Sequence, residues 1–207
     1  MPELSWSQAP RLALCYLLGS IPFAVLAMWG TGIDILRAGS GNPGFNNVLR
    51  FSRWRAAVTL AGDLGKGFLA IWLFQTPGDR EASLWMYGLA AMLGHCYSPW
   101  LRFNGGKGIA TSAGVMLFLY PRWALACAGS YVILRMVGSR GRWTERGTIA
   151  SLSSSAVFVL LLYGFETRTA ALGGAALLVF VAWRHRKNFR VLIGARASPE
   201  NHAGRSG

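Results

Sequence analysis

The sequence predicts an all-α membrane protein that forms a single bundle of about seven transmembrane helices. Hydrophobic residues make up 53% of its 207 residues and charged residues only 14%, whereas an ordinary soluble domain carries about 25% charged residues. The apolar residues are also gathered in long blocks, and several approach the roughly 20 residues that a bilayer-spanning helix needs. The blocks cover residues 12–29, 56–74, 84–101, 109–119, 123–137, 148–164 and 170–183.

The first block, 12–29, is expected to be a retained span and not a cleaved signal peptide. The first ten residues contain no Lys or Arg, the apolar run is interrupted at 19–22, and it has no convincing small-residue cleavage site. The fourth and fifth blocks are short and flank 120–122, so they form either two tight spans or one broken span. We expect residues 1–194 to form one transmembrane domain, while the composition of 195–207 predicts a disordered tail.

The distribution of positive charge predicts the orientation of the bundle. With seven spans and the N-terminus outside, the inside segments are 30–55, 102–108, 135–147 and 184–207. These segments hold sixteen of the 21 Lys and Arg residues, which is the positive-inside bias of membrane proteins. The net charge of +13 therefore indicates a cytoplasmic C-terminus first and attraction to anionic lipid second. No zinc-finger spacing or basic-aromatic pattern indicates a nucleic-acid partner.

The cysteines and acidic residues give no sign of a metal ion or cofactor. Cys15, Cys96 and Cys127 all lie in apolar blocks without CxxC spacing, so we expect them to be small core residues. No acidic cluster has the ligand pattern of a cation site. The sequence therefore predicts chemistry that needs neither a metal nor a cofactor.

Polar residues inside the apolar blocks mark the first candidate site, because such groups are costly at membrane depth. Asp63 and Lys66 are three residues apart and share one helix face. An internal ion pair facing the bundle is favoured over direct catalysis for these two residues. His95 lies in the third block, just before a break at Ser98 and Pro99.

Two glycine-rich loops supply the second candidate feature: GSGNPGFNN at 39–47 and GGKG at 105–108. A glycine-rich loop that leads into a helix presents backbone N–H groups suited to a phosphate, and Lys107 adds a positive charge. GGKG alone is a weak signal. It lacks the Walker A spacing, so nucleoside triphosphate binding is unsupported.

Further polar residues follow near the later blocks. Thr148 begins the sixth block, and His185 and Asn188 lie one helical turn apart after the seventh. In the predicted topology these residues and both glycine-rich loops open on the inside face. The favoured interpretation is a bundle with a phosphate-binding pocket at its inner mouth, and the alternative is chance clustering of polar residues in cytoplasmic loops.

Five segments carry a resemblance to a known family: GSIPFAVL, GIDILRAGSGNPGFNNVLR, DLGKG, GHCYSPWLRFNGGKGIAT and WRHRKNFRVLIG. In order and spacing the chain resembles the bacterial acyl-phosphate:glycerol-3-phosphate acyltransferases. The resemblance implies a seven-helix enzyme of the bacterial inner membrane with its active site facing the cytoplasm. Such an enzyme moves a fatty acyl group from acyl phosphate to the 1-hydroxyl of glycerol 3-phosphate, giving lysophosphatidic acid and phosphate for phospholipid synthesis.

The resemblance also assigns roles to residues of this chain. The catalytic residues would be Ser40, His95 and Lys107. The residues that bind the two substrates would be Gly39, Gly41, Asn42, Asn46, Arg50, Gly105, Gly106, Thr148, His185 and Asn188. The 39–47 loop would hold the donor phosphate, and Arg50 and Lys107 the phosphate of glycerol 3-phosphate. His95 would be either the general base or a positioning residue, since the donor phosphate could itself take the hydroxyl proton.

The chain departs from the family pattern in two places. Phe45 and Asn46 stand where the family usually has Ala-Thr, so a hydroxyl is replaced by an amide. Glu145 stands where the family usually has arginine, which reverses a charge, while Thr148 keeps the hydroxyl of that segment.

Two other function classes predict different features. A transporter or channel for phosphorylated or other anionic solutes would show polar access from both faces, and the sequence shows none. An acyltransferase that uses acyl-CoA would be expected to show an HxxxxD pair. Here the fifth residue after His95 is Trp100, and the fifth after His185 is Arg190.

Overall fold

The computed structural model describes residues 8–192 and residue 194, and this part of the chain is helical without any strand. The N-terminal residues 1–7 and the segment 195–207, for which disorder was predicted, lie outside the described residues. The helices are α1 Gln8–Gly19, α2 Phe23–Met28, α3 Phe45–Val48, α4 Arg53–Phe74, α5 Glu81–Cys96, α6 Ile109–Leu119, α7 Pro121–Arg140, α8 Arg146–Phe165, α9 Arg168–Arg184 and α10 Arg186–Leu192.

Length and composition make three stretches of the described chain suitable for crossing a membrane: Gln8–Met28, Arg53–Phe74 and Arg146–Phe165. Ile109–Leu119 is apolar but shorter. The all-helical prediction is therefore confirmed. The short fourth and fifth blocks form two separate helices, because Tyr120 leaves the helical conformation and Pro121 starts the next helix at its first position.

Two predicted spans are not continuous α-helices over the whole length that their hydropathy indicates. The block 12–29 is divided into α1 and α2 by the segment 20–22, and the block 84–101 ends as an α-helix at Cys96. Ser98 is extended before Pro99, as expected for a residue that precedes proline. The two breaks are bonded to each other, since Ser98 Oγ donates to the Ser20 carbonyl at 2.6 Å. Broken helices are tolerated at membrane depth when their backbone groups find such partners.

Small residues bring α4 and α6 into close contact. A Cβ placed on Gly67 would lie 2.1 Å from the Thr111 carbonyl oxygen, and one on Gly114 would lie 1.9 Å from the Leu64 carbonyl oxygen. Small residues at such contacts let helices pack closely in membranes. The three cysteines are buried with free thiols, in agreement with their predicted place in the core.

The ends of the bundle differ in construction. At the end that carries the α4–α5 and α8–α9 connections, which we call the Asp79 end, Arg11 pairs with Asp79 at 2.8 Å, and Thr167 Oγ1 donates to Glu81 Oε2 at 2.7 Å. The opposite end, called the glycine-loop end, carries the segments 29–52, 97–108, 141–145 and 185–192. The predicted site residues lie at this second end or, like His95, within a turn of it.

Candidate active site

The loop 39–47 is shaped by Asn47, a residue that the sequence analysis did not single out. Its buried side chain donates from Nδ2 to the carbonyls of Ile35 at 3.2 Å and Ala38 at 3.0 Å. Its Oδ1 accepts from the Ser40 backbone N–H at 2.9 Å. One side chain therefore fixes the turn that carries Ser40. Its signal in the sequence was only that it is one of three asparagines in the loop.

Glycine is required at the start of this loop. Gly39 has φ +61°, and a Cβ there would lie 2.3 Å from Asn47 Oδ1. Gly41 has φ +66°, which also favours glycine. Ser40 is exposed on this turn, so its side chain is open to a ligand.

The remaining predicted residues of this region lie around the turn. Asn42 is half-buried, while Asn46 and Arg50 are exposed. The Arg50 side chain passes Gly39, with Cδ 3.5 Å from the position of an added Cβ. Asn46 reaches the first turn of α8, where its Nδ2 is 3.7 Å from a Cβ built on Gly147, and Arg135 Nη1 is 3.0 Å from the same point. The structure thus brings the first glycine-rich loop beside the Thr148 segment, as the predicted topology requires.

In the second glycine-rich loop, the backbone amides of Gly105 and Gly106 are already bonded within the protein. Gly105 N–H donates to the Cys96 carbonyl at 3.0 Å, and Gly106 N–H donates to the His95 carbonyl at 3.2 Å. Arg184 in turn donates to the Gly105 and Gly106 carbonyls at 3.0 and 2.9 Å. The two glycines therefore anchor the loop, and Lys107 is the group it offers to an anion. The sequence analysis did not predict this role of Arg184 in holding the loop.

His95 is buried between the charged pair of α4 and the second glycine-rich loop. Asp63 Oδ1 lies 2.8 Å from Lys66 Nζ, which confirms the predicted internal ion pair. The same carboxylate oxygen lies 3.4 Å from His95 Nδ1, a contact that the sequence did not reveal. When Nδ1–H donates to Asp63, Nε2 is left as the acceptor. Nε2 faces Gly106, where an added Cβ would lie 2.2 Å away.

A narrow pocket with room for about one water molecule lies between His95 and the first glycine-rich loop. It is lined by residues from both helix breaks, from α4 and α5, and from both glycine-rich loops, including Ser20, Pro43, Lys66, His95 and Gly106. Pro43 belongs to the loop 39–47, so a ligand held there would lie near the His95 imidazole. This arrangement suits a reaction between a group bound by the first loop and a hydroxyl near His95.

A second cluster includes Lys107, the residue after Gly106, and unites three predicted residues. Lys107 Nζ donates to Asn188 Oδ1 at 2.7 Å, and Asn188 Nδ2 donates to Glu145 Oε2. Thr148 Oγ1 donates to the same Glu145 oxygen at 2.9 Å. The structure therefore brings Lys107, Thr148 and Asn188 together from three separate segments, with Glu145 linking Thr148 to Asn188.

Burial and neighbouring charges shift the ionisation of this cluster. Burial lowers the pKa of Lys107 below its usual value, the Glu145 carboxylate opposes this shift, and Arg184 adds to it. Burial also lowers the pKa of His185. His185 Nδ1 lies 2.8 Å from the Val181 carbonyl and its ring is buried, so His185 ends α9 and positions Asn188 on the following turn.

Within the described residues no group of three or more His, Cys, Asp or Glu side chains has a metal-binding arrangement. The fixed positive groups around the cluster are instead Lys107, Arg135 and Arg184. Side chains of this type hold phosphate oxygens.

Comparison with known proteins identifies the family to which this site belongs. A family model for glycerol-3-phosphate acyltransferase matches residues 10–195. The chain belongs to the glycerol-3-phosphate acyltransferase family. The family resemblance inferred from the five sequence segments is thereby confirmed, and it favours acyl transfer over the transporter or channel that was the alternative.

Named members of the glycerol-3-phosphate acyltransferase family are similar over nearly the whole chain. The protein from Burkholderia vietnamiensis is 36% identical over 187 residues, which cover 89% of this chain and 87% of the relative. The protein from Burkholderia pseudomallei is 37% identical over 186 residues, which cover 88% of this chain and 90% of the relative.

The fold of this glycerol-3-phosphate acyltransferase family member also matches a solved structure. PlsY (YgiH), an integral membrane glycerol 3-phosphate acyltransferase, superposes in its glycerol 3-phosphate form with a TM-score of 0.80 and 28% identity, covering 92% of this chain and 94% of that chain. The lysophosphatidic acid form gives a TM-score of 0.79. The prediction of a helical membrane protein is therefore confirmed.

Proposed function

We propose that this protein transfers a fatty acyl group from acyl phosphate to the 1-hydroxyl of glycerol 3-phosphate, giving lysophosphatidic acid and inorganic phosphate. One observation carries the proposal: Lys107, Thr148 and Asn188 are joined by hydrogen bonds through Glu145, and the residue next to Lys107, Gly106, contacts the His95 imidazole. Family membership supports the same reaction. So does the match to a relative whose structures are described as glycerol 3-phosphate and lysophosphatidic acid forms.

The proposed reaction requires the site to position the substrates more than to supply a strong acid. An acyl phosphate is a mixed anhydride, so phosphate leaves readily. The protein must hold two phosphate groups close together and direct the glycerol hydroxyl to the acyl carbon. Orientation of this kind lowers a barrier by several kcal/mol, and fixed cationic donors reduce the repulsion between the two anions.

The two phosphates are assigned to different loops. The loop 39–47, with Ser40 and Asn42, binds the donor phosphate, and Pro43 brings that loop to the pocket beside His95. The phosphate of glycerol 3-phosphate binds to Lys107 and Asn188 with Thr148, and Arg50 approaches from the edge of the first loop. The acyl chain lies in an apolar groove between helices.

His95 is placed to receive the proton of the attacking hydroxyl. Asp63 supports the tautomer in which Nε2 is the acceptor. The alternative is transfer of the proton to the donor phosphate, with His95 positioning the substrates. Neither route requires a metal ion or an organic cofactor.

The topology that suits this function has seven spans, with residues 1–194 as one membrane domain in the bacterial inner membrane. The N-terminus is outside, the C-terminus and the glycine-loop end face the cytoplasm, and 195–207 is a tail. The excess of Lys and Arg in the inside segments supports this orientation.

The decisive experiment uses the purified protein in detergent micelles with acyl phosphate and glycerol 3-phosphate. We expect stoichiometric release of phosphate and formation of lysophosphatidic acid, and a large loss of both in Lys107→Ala. Acyl-CoA in place of acyl phosphate identifies the donor. Folded protein that forms lysophosphatidic acid with neither donor would overturn the proposed reaction, and activity with acyl-CoA alone would overturn the donor assignment.

A further inference from the structure

Glu145 has an unusual place at the start of α8. It is the residue that precedes the helix, and its backbone has φ +56°, in the left-handed region. Non-glycine residues are uncommon there because the side chain crowds the backbone. Arg142, three residues earlier, has φ +52°. The turn into α8 therefore holds two residues in a conformation that needs support from other contacts.

The contacts of Glu145 are with the groups that the proposed function assigns to a phosphate. Its Oε2 accepts from Thr148 Oγ1 at 2.9 Å and from Asn188 Nδ2. Asn188 is also bonded to the Lys107 ammonium at 2.7 Å. A negatively charged oxygen thus accepts from a hydroxyl and an amide donor, and that amide group also accepts from the Lys107 ammonium. A phosphate oxygen would accept hydrogen bonds from the same groups.

We propose that Glu145 is an internal substitute for the substrate phosphate, which occupies these donors until glycerol 3-phosphate displaces it and so sets the affinity for this substrate. The inference rests on the proposed function, because it assumes that glycerol 3-phosphate binds at this cluster. It makes Glu145 a specificity-determining residue of the reaction and not a catalytic one.

The competition favours the substrate for physical reasons. A phosphate dianion carries more charge than a carboxylate and has three acceptor oxygens, so it makes stronger charge-assisted hydrogen bonds. It also gains from Arg135, whose Nη1 approaches Gly147 at the start of α8, and from the positive end of the 20-residue helix α8. Displacement of Glu145 lets its backbone leave the left-handed region.

The opposite role for Glu145 predicts the opposite result. If its carboxylate were a fixed support that orients Thr148 and Asn188 for the substrate, its loss would weaken binding of glycerol 3-phosphate. If it competes with the substrate, its loss strengthens binding. The sign of the change in KM therefore separates the two roles.

The test compares Glu145→Gln with Glu166→Gln, the same chemical change at the Asp79 end, where Glu166 pairs with Arg122. We expect Glu145→Gln to lower the KM for glycerol 3-phosphate and the inhibition constant of inorganic phosphate about three- to tenfold. Glu166→Gln should leave both unchanged. A KM that is unchanged or raised in Glu145→Gln overturns the proposal.

A binding measurement without the acyl donor removes the dependence on turnover. Glycerol 3-phosphate should raise the unfolding temperature of Glu145→Gln in micelles at lower concentrations than it does for the wild type. If Glu145→Gln does not fold, Glu145→Ala removes the same charge, and the same fall in KM is expected. A wild type that neither binds glycerol 3-phosphate nor turns over contradicts the proposed function itself. A wild type that does both, beside a variant with unchanged affinity, contradicts only the role of Glu145.

Discussion

The imidazole of His95 has its two nitrogens in different surroundings, and this difference is what makes it suitable as a base. Nδ1 faces the Asp63 carboxylate at 3.4 Å, and Nε2 faces Gly106. A carboxylate on one nitrogen fixes the tautomer and increases the basicity of the other, as in other carboxylate–histidine pairs. Asp63 is a positioning residue in this arrangement, and Lys66 balances its charge.

We expect His95→Ala to lower kcat about 100-fold, the usual contribution of a positioned general base. The acid limb of the pH–rate profile, where a base loses its function by protonation, should disappear with it. Steady-state kinetics with purified acyl phosphate and glycerol 3-phosphate measure both. Unchanged turnover in the folded variant would remove His95 as the base and assign the proton to the donor phosphate.

The lowered pKa of Lys107 predicts an alkaline limit to substrate binding. Burial favours the neutral amine, so the ammonium is lost as the pH rises through a pKa below the usual value for lysine. We expect kcat/KM for glycerol 3-phosphate, which reports ionisation of the free enzyme, to fall over that range. Lys107→Arg should move the fall to higher pH, because arginine keeps its charge.

The control for this measurement is Lys187→Arg, the same change at an exposed lysine. Its pH profile should match that of the wild type. A profile for Lys107→Arg that keeps the wild-type alkaline limb would show that another group causes it.

At the level of single residues, the sequence predicted the side chains that could bind a phosphate better than it predicted the side chains that hold the loops in place. Lys107, Thr148 and Asn188 were assigned together because topology placed their segments at one end of the bundle, and the structure joins them. Asn47 and Arg184 were missed because both act on backbone carbonyls. The sequence does not show which carbonyls a loop will turn towards a polar side chain.

Among the elements, we expect the GGKG loop to tolerate substitutions least. Its amides are bonded to the end of α5, its carbonyls are bonded to Arg184 at the end of α9, and Gly106 contacts His95. Two helices, α5 and α9, are thus bonded to one loop. A change of its backbone moves the general base and Lys107 at the same time.

Gly106→Ala should lower kcat by at least about tenfold, because its Cβ would lie 2.2 Å from His95 Nε2 and one of the two must move. The matched control is Gly164→Ala in α8, where an added Cβ meets nothing within 4 Å. The control should keep full activity and unfold at the same or a slightly higher temperature. Equal activity of both variants would show that the contact between Gly106 and His95 has no part in catalysis.

The helix boundaries show why the sequence located the elements but not all their ends. Apolar residues continue through Tyr97, Trp100 and Leu101, so hydropathy extended the third block beyond Cys96. The α-helix ends there because the backbone conformation of Ser98 is restricted by the following proline. Hydropathy describes the surroundings of a segment, whereas helix ends depend on local backbone geometry.

For the whole molecule, stability and function are concentrated at opposite ends. The glycine-loop end holds exposed donors such as Ser40, Asn46 and Arg50. The Asp79 end is closed by ion pairs and side-chain hydrogen bonds between helices. Burial raises the pKa of Asp79, but the Thr76 N–H and the Arg11 charge lower it more, so that it lies below its usual value.

This shift predicts how stability depends on pH. A depressed carboxyl pKa contributes stability above the unfolded-state value, and the contribution is lost as the pH falls through the lower folded-state pKa. Asp79→Asn should therefore lower the unfolding temperature at neutral pH by on the order of 3 °C, with a smaller difference from the wild type in strong acid. Thermal unfolding in micelles measures this.

The control variant is Asp34→Asn. Asp34 forms an exposed ion pair with Arg37, and exposed ion pairs contribute little to the free energy of unfolding. We expect its unfolding temperature to stay close to that of the wild type at both pH values. A loss in Asp34→Asn as large as that in Asp79→Asn would show that the effect is general to aspartates and not specific to the Asp79 end.

The ion pair of α4 also has a consequence for biogenesis. A single Asp or Lys at the centre of a hydrophobic helix costs about 3 kcal/mol when the translocon releases the segment into lipid. Asp63 and Lys66 are one turn apart on the same helix and 2.8 Å from each other, so each meets its counter-ion before α5 and the later helices have been synthesised. The apolar part of the newly made α4, residues 56–74, therefore enters the bilayer without net charge. The carboxylate that later orients His95 is carried into the membrane already paired.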